Sequence, residues 1–222
     1  MIVLENISKV FYTQEIQTKA LDSVNLRIER GEFVSIMGPS GCGKSTMLNI
    51  MGLLDTPTEG RLYVDGELTE GLNDSKASQF RNEKIGFIFQ SFHLIPAMNV
   101  LDNVTLPMLY RKERPDRSAV IARAEEVLEK VGLGSRKKHF PSQLSGGQCQ
   151  RAAIARALMG SPAVLLADEP TGNLDSRMGE EIMQLLRTIN TEGVTIVMVT
   201  HDGRLASQTG RTVRMKDGKI EE

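Results

Sequence analysis

FVSIMGPSGCGKSTMLNI, Phe33–Ile50, is the stretch whose reading decides the fold. The apolar run Phe33 to Met37 predicts a buried strand. The loop Gly38-Pro39-Ser40-Gly41-Cys42-Gly43-Lys44-Ser45 follows, and a helix is predicted to open at Ser45-Thr46 and continue through Met47, Leu48 and Ile50. This is G-x-x-x-x-G-K-[ST] between a strand and a helix, the context in which that spacing cradles phosphate. Glycines let the backbone curl so that successive N–H groups converge on phosphate oxygens, and the helix N-terminus adds partial positive charge. Lys44 is expected to reach the β- and γ-phosphates of a nucleotide, and the Ser45 hydroxyl to sit on Mg²⁺.

Upstream, Ile2–Val10 and Leu21–Ile28 alternate apolar and polar residues and predict two half-buried strands, with a polar loop at Phe11–Lys19 between them. Downstream, Arg61–Val64 with the turn Asp65-Gly66 predicts a strand and hairpin, so the early strands read as an antiparallel group beside the nucleotide. A short helix is expected at Ala77–Glu83 and a buried strand at Ile85–Phe89. From about Phe92 to Phe140 the strand–helix alternation is interrupted by Pro96, Pro107 and Pro115 and by a helical pattern at Val120–Val131 that Gly132 and Gly134 close. That section predicts an inserted α-helical subdomain (92–140) within a single domain of residues 1–222. Most of its apolar residues are expected in its own core, with Phe92, Leu94 and Ile95 left for a partner. Alternation then resumes: a helix at Gly146–Met159, a strand at Ala163–Ala167, a helix at Ser176–Asn190, a strand at Thr195–Thr200, a helix at Arg204–Gln208 and a closing hairpin. The fold class is therefore α/β, with a largely parallel sheet and nucleotide at the strands' carboxyl ends.

Composition narrows the function. Net charge is −1, so no basic excess points to nucleic acid. The apolar runs are strand-sized, far short of what crosses a bilayer, and the N-terminus lacks the pattern of a secretory signal. Only Cys42 and Cys149 are present, too few for a disulfide scaffold. A soluble protein of a reducing compartment is expected, and any work at a membrane requires a partner that spans one.

Two further motifs carry chemistry. Val164-Leu165-Leu166-Ala167-Asp168-Glu169 is an apolar strand delivering carboxylates at its carboxyl end. Asp168 is expected to hold Mg²⁺, directly or through water, and Glu169 to polarise the water attacking the γ-phosphate, a role worth roughly 10²–10⁴ in rate. Ser145-Gly146-Gly147-Gln148 opens a helix with a hydroxyl and two glycines, a second anion-binding device. Two phosphate-binding elements in one chain are redundant for one site in a monomer. They make sense if each faces its copy's counterpart across a two-fold axis, an isologous dimer with two shared sites.

Leu144-Ser145-Gly146-Gly147-Gln148 resembles the signature motif of ATP-binding cassette proteins, and the remaining family motifs fall in the family's order across essentially the whole chain. Gln90 resembles the Q-loop glutamine, Asn173-Leu174-Asp175 the D-loop, and His201 the switch histidine. An aromatic before the first turn would stack on adenine; Phe11 is favoured, with Tyr12 the fallback. Gly86-Phe87-Ile88-Phe89-Gln90, the segment Asn103–Pro107 and Leu166–Asp175 resemble the branch of lipoprotein-release, macrolide-export, antimicrobial-peptide-resistance and cell-division ATPases. The resemblance implies an ATP hydrolase with ATP and Mg²⁺ as cofactors. Gly38 to Thr46 of one copy and Ser145 to Gln148 with Asp175 of the other would enclose each ATP. Ser45, Gln90 and Asp168 would hold the metal, and Glu169, His201 and Gln90 would serve catalysis. It also implies a partner: a four-helix membrane subunit with a large extracytoplasmic domain, one short helix of which would seat in a groove around Gln90–Met98. The protein would lie on the cytoplasmic face of the inner membrane. A soluble cassette without a membrane partner, of the iron–sulfur-assembly type, is the alternative. Departures from the pattern are Cys42, Cys149, Phe11 in place of tyrosine, and Gly203 where proline is common; none removes a catalytic group.

Overall fold

The computed structural model describes residues 1–12, 17–113 and 115–221. The chain opens with strands β1 (Ile2–Tyr12), β2 (Gln17–Ile28) and β3 (Phe33–Met37), followed by α1 (Lys44–Met51). The hairpin β4 (Glu59–Val64) and β5 (Glu67–Leu68), α2 (Asp74–Lys84) and β6 (Ile85–Phe89) come next. Helices α3 (Val100–Thr105), α4 (Arg117–Lys130) and α5 (Gly146–Leu158) precede β7 (Val164–Asp168). Then α6 (Ser176–Thr191), β8 (Thr195–Val199), α7 (Gly203–Ala206), β9 (Arg211–Lys216) and β10 (Lys219–Glu221) complete it.

Two sheets form. The larger runs β10-β9-β3-β8-β7-β6, parallel from β9 to β6 with β10 antiparallel at one edge; the smaller is the antiparallel β2-β1-β4-β5. The register Ile36↔Val199, Asp168↔Val199 and Phe89↔Asp168 brings the carboxyl ends of β3, β8, β7 and β6 to one level. These strands are buried on both faces, which is why they read as continuous apolar runs and not as alternation. Their side chains still alternate: Leu165, Ala167, Ile196 and Met198 join one core with α3 to α6. Val164, Leu166, Val197 and Val199 join a second core with α1 and the antiparallel sheet. Each fully buried Val, Ile or Leu contributes about 1.5–3 kcal/mol.

The expected polar loop at Phe11–Lys19 is a correction. Strand β1 runs on through Tyr12 and β2 begins at Gln17, with Phe11 paired to Thr18 and Tyr12 to Gln17. Polar residues extend the hairpin because both faces there meet solvent: Gln17, Thr18 and Lys19 are exposed. Residues 13–16 lie outside the described residues. The expected helix at Ala77–Glu83 begins earlier, at Asp74, because the Asn73 side chain caps it by accepting from the Lys76 N–H. The C-terminal helix is shorter than expected: α7 ends at Ala206. Leu94, expected on a partner surface, packs against the helical core, while Ile95 is exposed.

Candidate nucleotide-binding and hydrolytic site

Everything singled out for phosphate chemistry on one side of the sheet sits at the carboxyl ends of four adjacent strands. The phosphate loop follows β3, His201 follows β8 by two residues, Asp168 ends β7 with Glu169 next, and Gln90 follows β6. A cavity of about 340 Å³ there is lined by Ser40, Gly41, Gly43, Lys44, Ser45, Thr46, Asp168, Glu169 and His201, with Ala20 and Val199.

The loop's shape is set by its glycines. Gly43, at the N-cap of α1, has φ 102°, a left-handed conformation that a side chain would strain. Gly38 is packed so closely that a Cβ would lie 2.1 Å from the Met215 carbonyl oxygen. Within this frame the Lys44 ammonium donates to the carbonyls of Gly38 and Pro39, 2.8 Å from each, which holds it in the mouth of the loop. Cys42 is buried beneath.

Ser45 Oγ lies 3.5 Å from Asp168 Oδ1. Burial pushes the Asp168 carboxyl above its ordinary value; the Ser45 hydroxyl opposes this, the Glu169 charge adds to it and Lys44 opposes it. Among the described residues no cluster of three or more His, Cys, Asp or Glu forms a cage. A hydroxyl and one carboxylate are instead the hard oxygen donors suited to Mg²⁺, which keeps several waters and takes its other ligands from phosphate. The donor set fits that ion.

Glu169 is held from three sides. Its N–H donates to Val199 O at 3.0 Å, its carbonyl accepts from Gly172 N at 3.0 Å, and its carboxylate accepts from His201 Nδ1 at 2.8 Å. Its φ is +47°, although it precedes Pro170 and such residues favour extended backbone. This is a strained position, at a cost of order 1–3 kcal/mol, kept only where its surroundings fix it.

Ser145 to Gln148 form a complete helix start. Ser145 Oγ accepts from Gln148 N at 3.3 Å and Gln148 Oε1 accepts from Ser145 N at 3.0 Å, a capping box. The Gln148 amide oxygen is thus committed to the cap, while the N–H groups of Gly146 and Gly147, in the first turn, have no partner within the helix. Ser145, Gly147 and Gln148, with Asp175, line a cavity that shares no residue with the phosphate-loop cavity. Asp175 caps α6 by accepting from Met178 N.

Gln90 stands apart from the phosphate-loop cavity. Its Nε2 donates to Asn173 Oδ1 at 3.1 Å, and Asn173 returns a hydrogen bond to Gln90 O at 3.0 Å. Phe11 lies half-exposed on β1, with the Lys9 ammonium 5.1 Å from its ring centroid. A cleft of about 1,090 Å³ runs along α2, β6 and Pro107–Tyr110, and of the segment Gln90–Met98 expected to receive a membrane helix only His93 lines it.

Sequence reasoning missed the side chains that hold these loops. Arg156 of α5 donates to Phe92 O at 2.8 Å and to His93 O, securing two residues with positive φ. Asn103 is fully buried; its amide accepts from Ile95 N and donates to Ile95 O and Met98 O. Gln150 is fully buried and donates to Pro170 O. Polar residues on otherwise apolar helix faces were the available signal.

A family model described as ABC transporter matches residues 21–172. An uncharacterized ABC transporter ATP-binding protein of Methanocaldococcus jannaschii is 50% identical over 100% of this chain and 98% of its own length. The lipoprotein-releasing system ATP-binding protein LolD of Bordetella avium is 48% identical over 97% of this chain and 94% of its own. Among solved structures, an ATP-binding cassette dimer in a post-hydrolysis state bound to ADP and Pi superposes with a TM-score of 0.91 at 48% identity, covering 100% of this chain and 97% of that one. The chain belongs to the ABC transporter family, as an ATP-binding subunit that hydrolyses ATP.

Proposed function

We propose that two copies of the chain enclose two ATP molecules, each between the Lys44 loop of one copy and the Ser145–Gln148 helix start of the other. The observation that carries this is the separation of the two phosphate-binding elements into different cavities of one chain, each complete as an anion cradle and incomplete as a site. In each site Lys44 exchanges the Gly38 and Pro39 carbonyls for the β- and γ-phosphates, and Ser45 and Asp168 hold Mg²⁺. Phe11 stacks on adenine, and Asp175 contributes from the opposite copy. The magnesium ion neutralises charge on the phosphates. Glu169 takes the proton of the attacking water, and His201 orients the carboxylate through its Nδ1–H. Gln90 reaches the metal and water only after leaving Asn173.

The working cycle is then differential affinity: ATP favours the closed dimer and hydrolysis reopens it. The closure acts on a membrane-spanning permease, and among the described residues no helix is long and apolar enough to cross a membrane. Two relatives support that partner: LolD, named for a lipoprotein-releasing system, and the macrolide export protein MacB of Wolinella succinogenes, an ATP-binding/permease protein of which this chain matches 34% at 49% identity. The chain is one cassette domain with residues 92–140 as its helical subdomain, peripheral on the cytoplasmic face of the membrane. The groove around Gln90–Met98, which meets the cleft along α2 and Pro107–Tyr110 at His93, receives the partner's helix.

The test is Glu169→Gln, which keeps the size and hydrogen-bonding reach of the side chain and removes the base. It is expected to bind ATP, lose at least about 100-fold in turnover, and elute as a dimer when ATP is present. Near-parental hydrolysis, or a monomer under saturating ATP, overturns the reading.

A further inference from the structure

Helix α5 begins with the signature residues and, two positions after Gln148, buries a glutamine completely. Gln150 is 0% exposed. Its Nε2 donates to Pro170 O at 2.6 Å and lies 3.4 Å from Phe89 O. Two carbonyl oxygens can be faced only by the amide nitrogen, so the orientation of the group is fixed by chemistry. The other end, Oε1, is buried with no hydrogen-bond partner among the described residues. The hydrogen bonding of this buried side chain is therefore carried entirely by its nitrogen.

The two carbonyls it touches belong to the two loops that matter for hydrolysis. Phe89 immediately precedes Gln90, and Pro170 immediately follows Glu169. Strands β6 and β7 are neighbours, with Phe89 paired to Asp168, so one side chain spans both exits. The Pro170 carbonyl lies inside the turn that Glu169 O and Gly172 N close at 3.0 Å, the turn in which Glu169 keeps φ +47°. Val199 fixes the amide end of that strained residue and His201 its carboxylate; Gln150 fixes the residue that follows it.

We infer that Gln150 is a positioning residue for hydrolysis, tying the signature helix to the Glu169 turn and to the base of the Gln90 loop, so that a displacement at the signature end of α5 is transmitted to both. The inference rests on the role proposed for Glu169. Gln150 touches neither nucleotide nor water and acts by holding the backbone on either side of the groups that do. Signature contact with the nucleotide of the opposite copy, at the start of α5, thereby reaches the Glu169 of its own chain.

Two substitutions test it in the full-length protein. Gln150→Met keeps the shape of the side chain and removes the donor. Nucleotide Kd and KM for ATP are expected to stay within about threefold, because the Lys44 loop is untouched, while kcat falls by about tenfold or more, the cost of a misplaced catalytic group. Gln150→Glu places a carboxyl against the same two carbonyls. Ionised, it repels them; protonated, its O–H donates to Pro170 O. Its kcat relative to the parent is therefore expected to recover as pH is lowered from about 8 to about 6, since burial beside carbonyl oxygens raises a carboxyl's pKa. A kcat within twofold of the parent for Gln150→Met overturns the inference, as does a flat kcat ratio across pH for Gln150→Glu. If Gln150→Met does not fold, the pH profile of Gln150→Glu decides alone. Should Glu169→Gln retain turnover, the underlying reading fails; should it lose turnover while Gln150→Met does not, only this inference fails.

Discussion

Replacing Gly38 with alanine is the sharpest probe of the phosphate loop, because the structure fixes both the size and the direction of the damage. An alanine Cβ would lie 2.1 Å from Met215 O and 2.6 Å from Cys42 Sγ, where ordinary contact begins near 3.4 Å. The carbonyl is backbone of β9, which pairs with β3, and cannot rotate away. The loop must move by roughly an ångström, which costs about 1–3 kcal/mol as overpacking. Gly38 O also anchors Lys44, so the ammonium moves with it. A displacement of that size at a group that contacts the reacting phosphates costs about 10²-fold in rate. Gly31→Ala is the control: Gly31 has φ +78° with nothing within 4 Å of its Cβ, in the turn before β3. It is expected to lose about 1–2 kcal/mol through left-handed strain and to leave the site intact. Calorimetric nucleotide titration, turnover and thermal melting are measured on both. The expected pattern is a comparable fall in Tm, about 2–4 °C per kcal/mol for a chain of this size, with nucleotide affinity and turnover lost only in Gly38→Ala. If Gly38→Ala binds and hydrolyses ATP like the parent, or if the two variants lose function equally, the steric argument is wrong.

Asn103→Leu fills the same volume but takes the partner from Ile95 N–H and Met98 O, while Ile95 O keeps only Met98 N–H; about 2–4 kcal/mol of stability is expected to be lost, read by urea unfolding. An unfolding free energy within 1 kcal/mol of the parent's refutes it. The Asp65 carboxyl is held below its ordinary value by its hydrogen bond from Lys84, with burial opposing and the Lys84 and Arg30 charges reinforcing. Because the folded value is the lower one, its stabilisation is present above the unfolded value, about 3.9, and is lost as pH falls through the folded one. Asp65→Asn is accordingly expected to be less stable than the parent at pH 7, and the gap to narrow as pH falls below about 3.9; a gap independent of pH contradicts the pairing.

How far the sequence was legible depended on where each restraint lies. Phe33–Met37, Val164–Asp168 and Thr195–Val199 were readable because strands buried on both faces must be apolar throughout, and the residues after them were readable because phosphate chemistry restricts their type. Helix α2 was only partly readable: none of its residues is buried, so it carries no apolar stripe and its start depends on the Asn73 cap. The pairing of Phe11 with Thr18 and Tyr12 with Gln17 was invisible because its ladder is made of backbone and both faces there meet solvent, so no apolar–polar alternation marks it. The clamps on the Gln90 loop were legible as polar residues on apolar helix faces, but their partners were not. Arg156 meets Phe92 across 64 residues and Asn173 meets Gln90 across 83, and no local pattern encodes such a pairing. For the same reason Gln90 could be named but not placed, and the structure has it turned toward Asn173.

The alternation of side chains along β7 and β8 has a consequence for how such a chain can change over time. Leu165 and Leu166, Ile196 and Val197 are sequence neighbours that belong to different cores, one shared with the helices and one with the phosphate-loop side. The sheet is a partition between two compartments that can be repacked separately. Substitutions that repack the helices on one side leave the packing beneath the phosphate loop on the other side unchanged where the sites are not in contact.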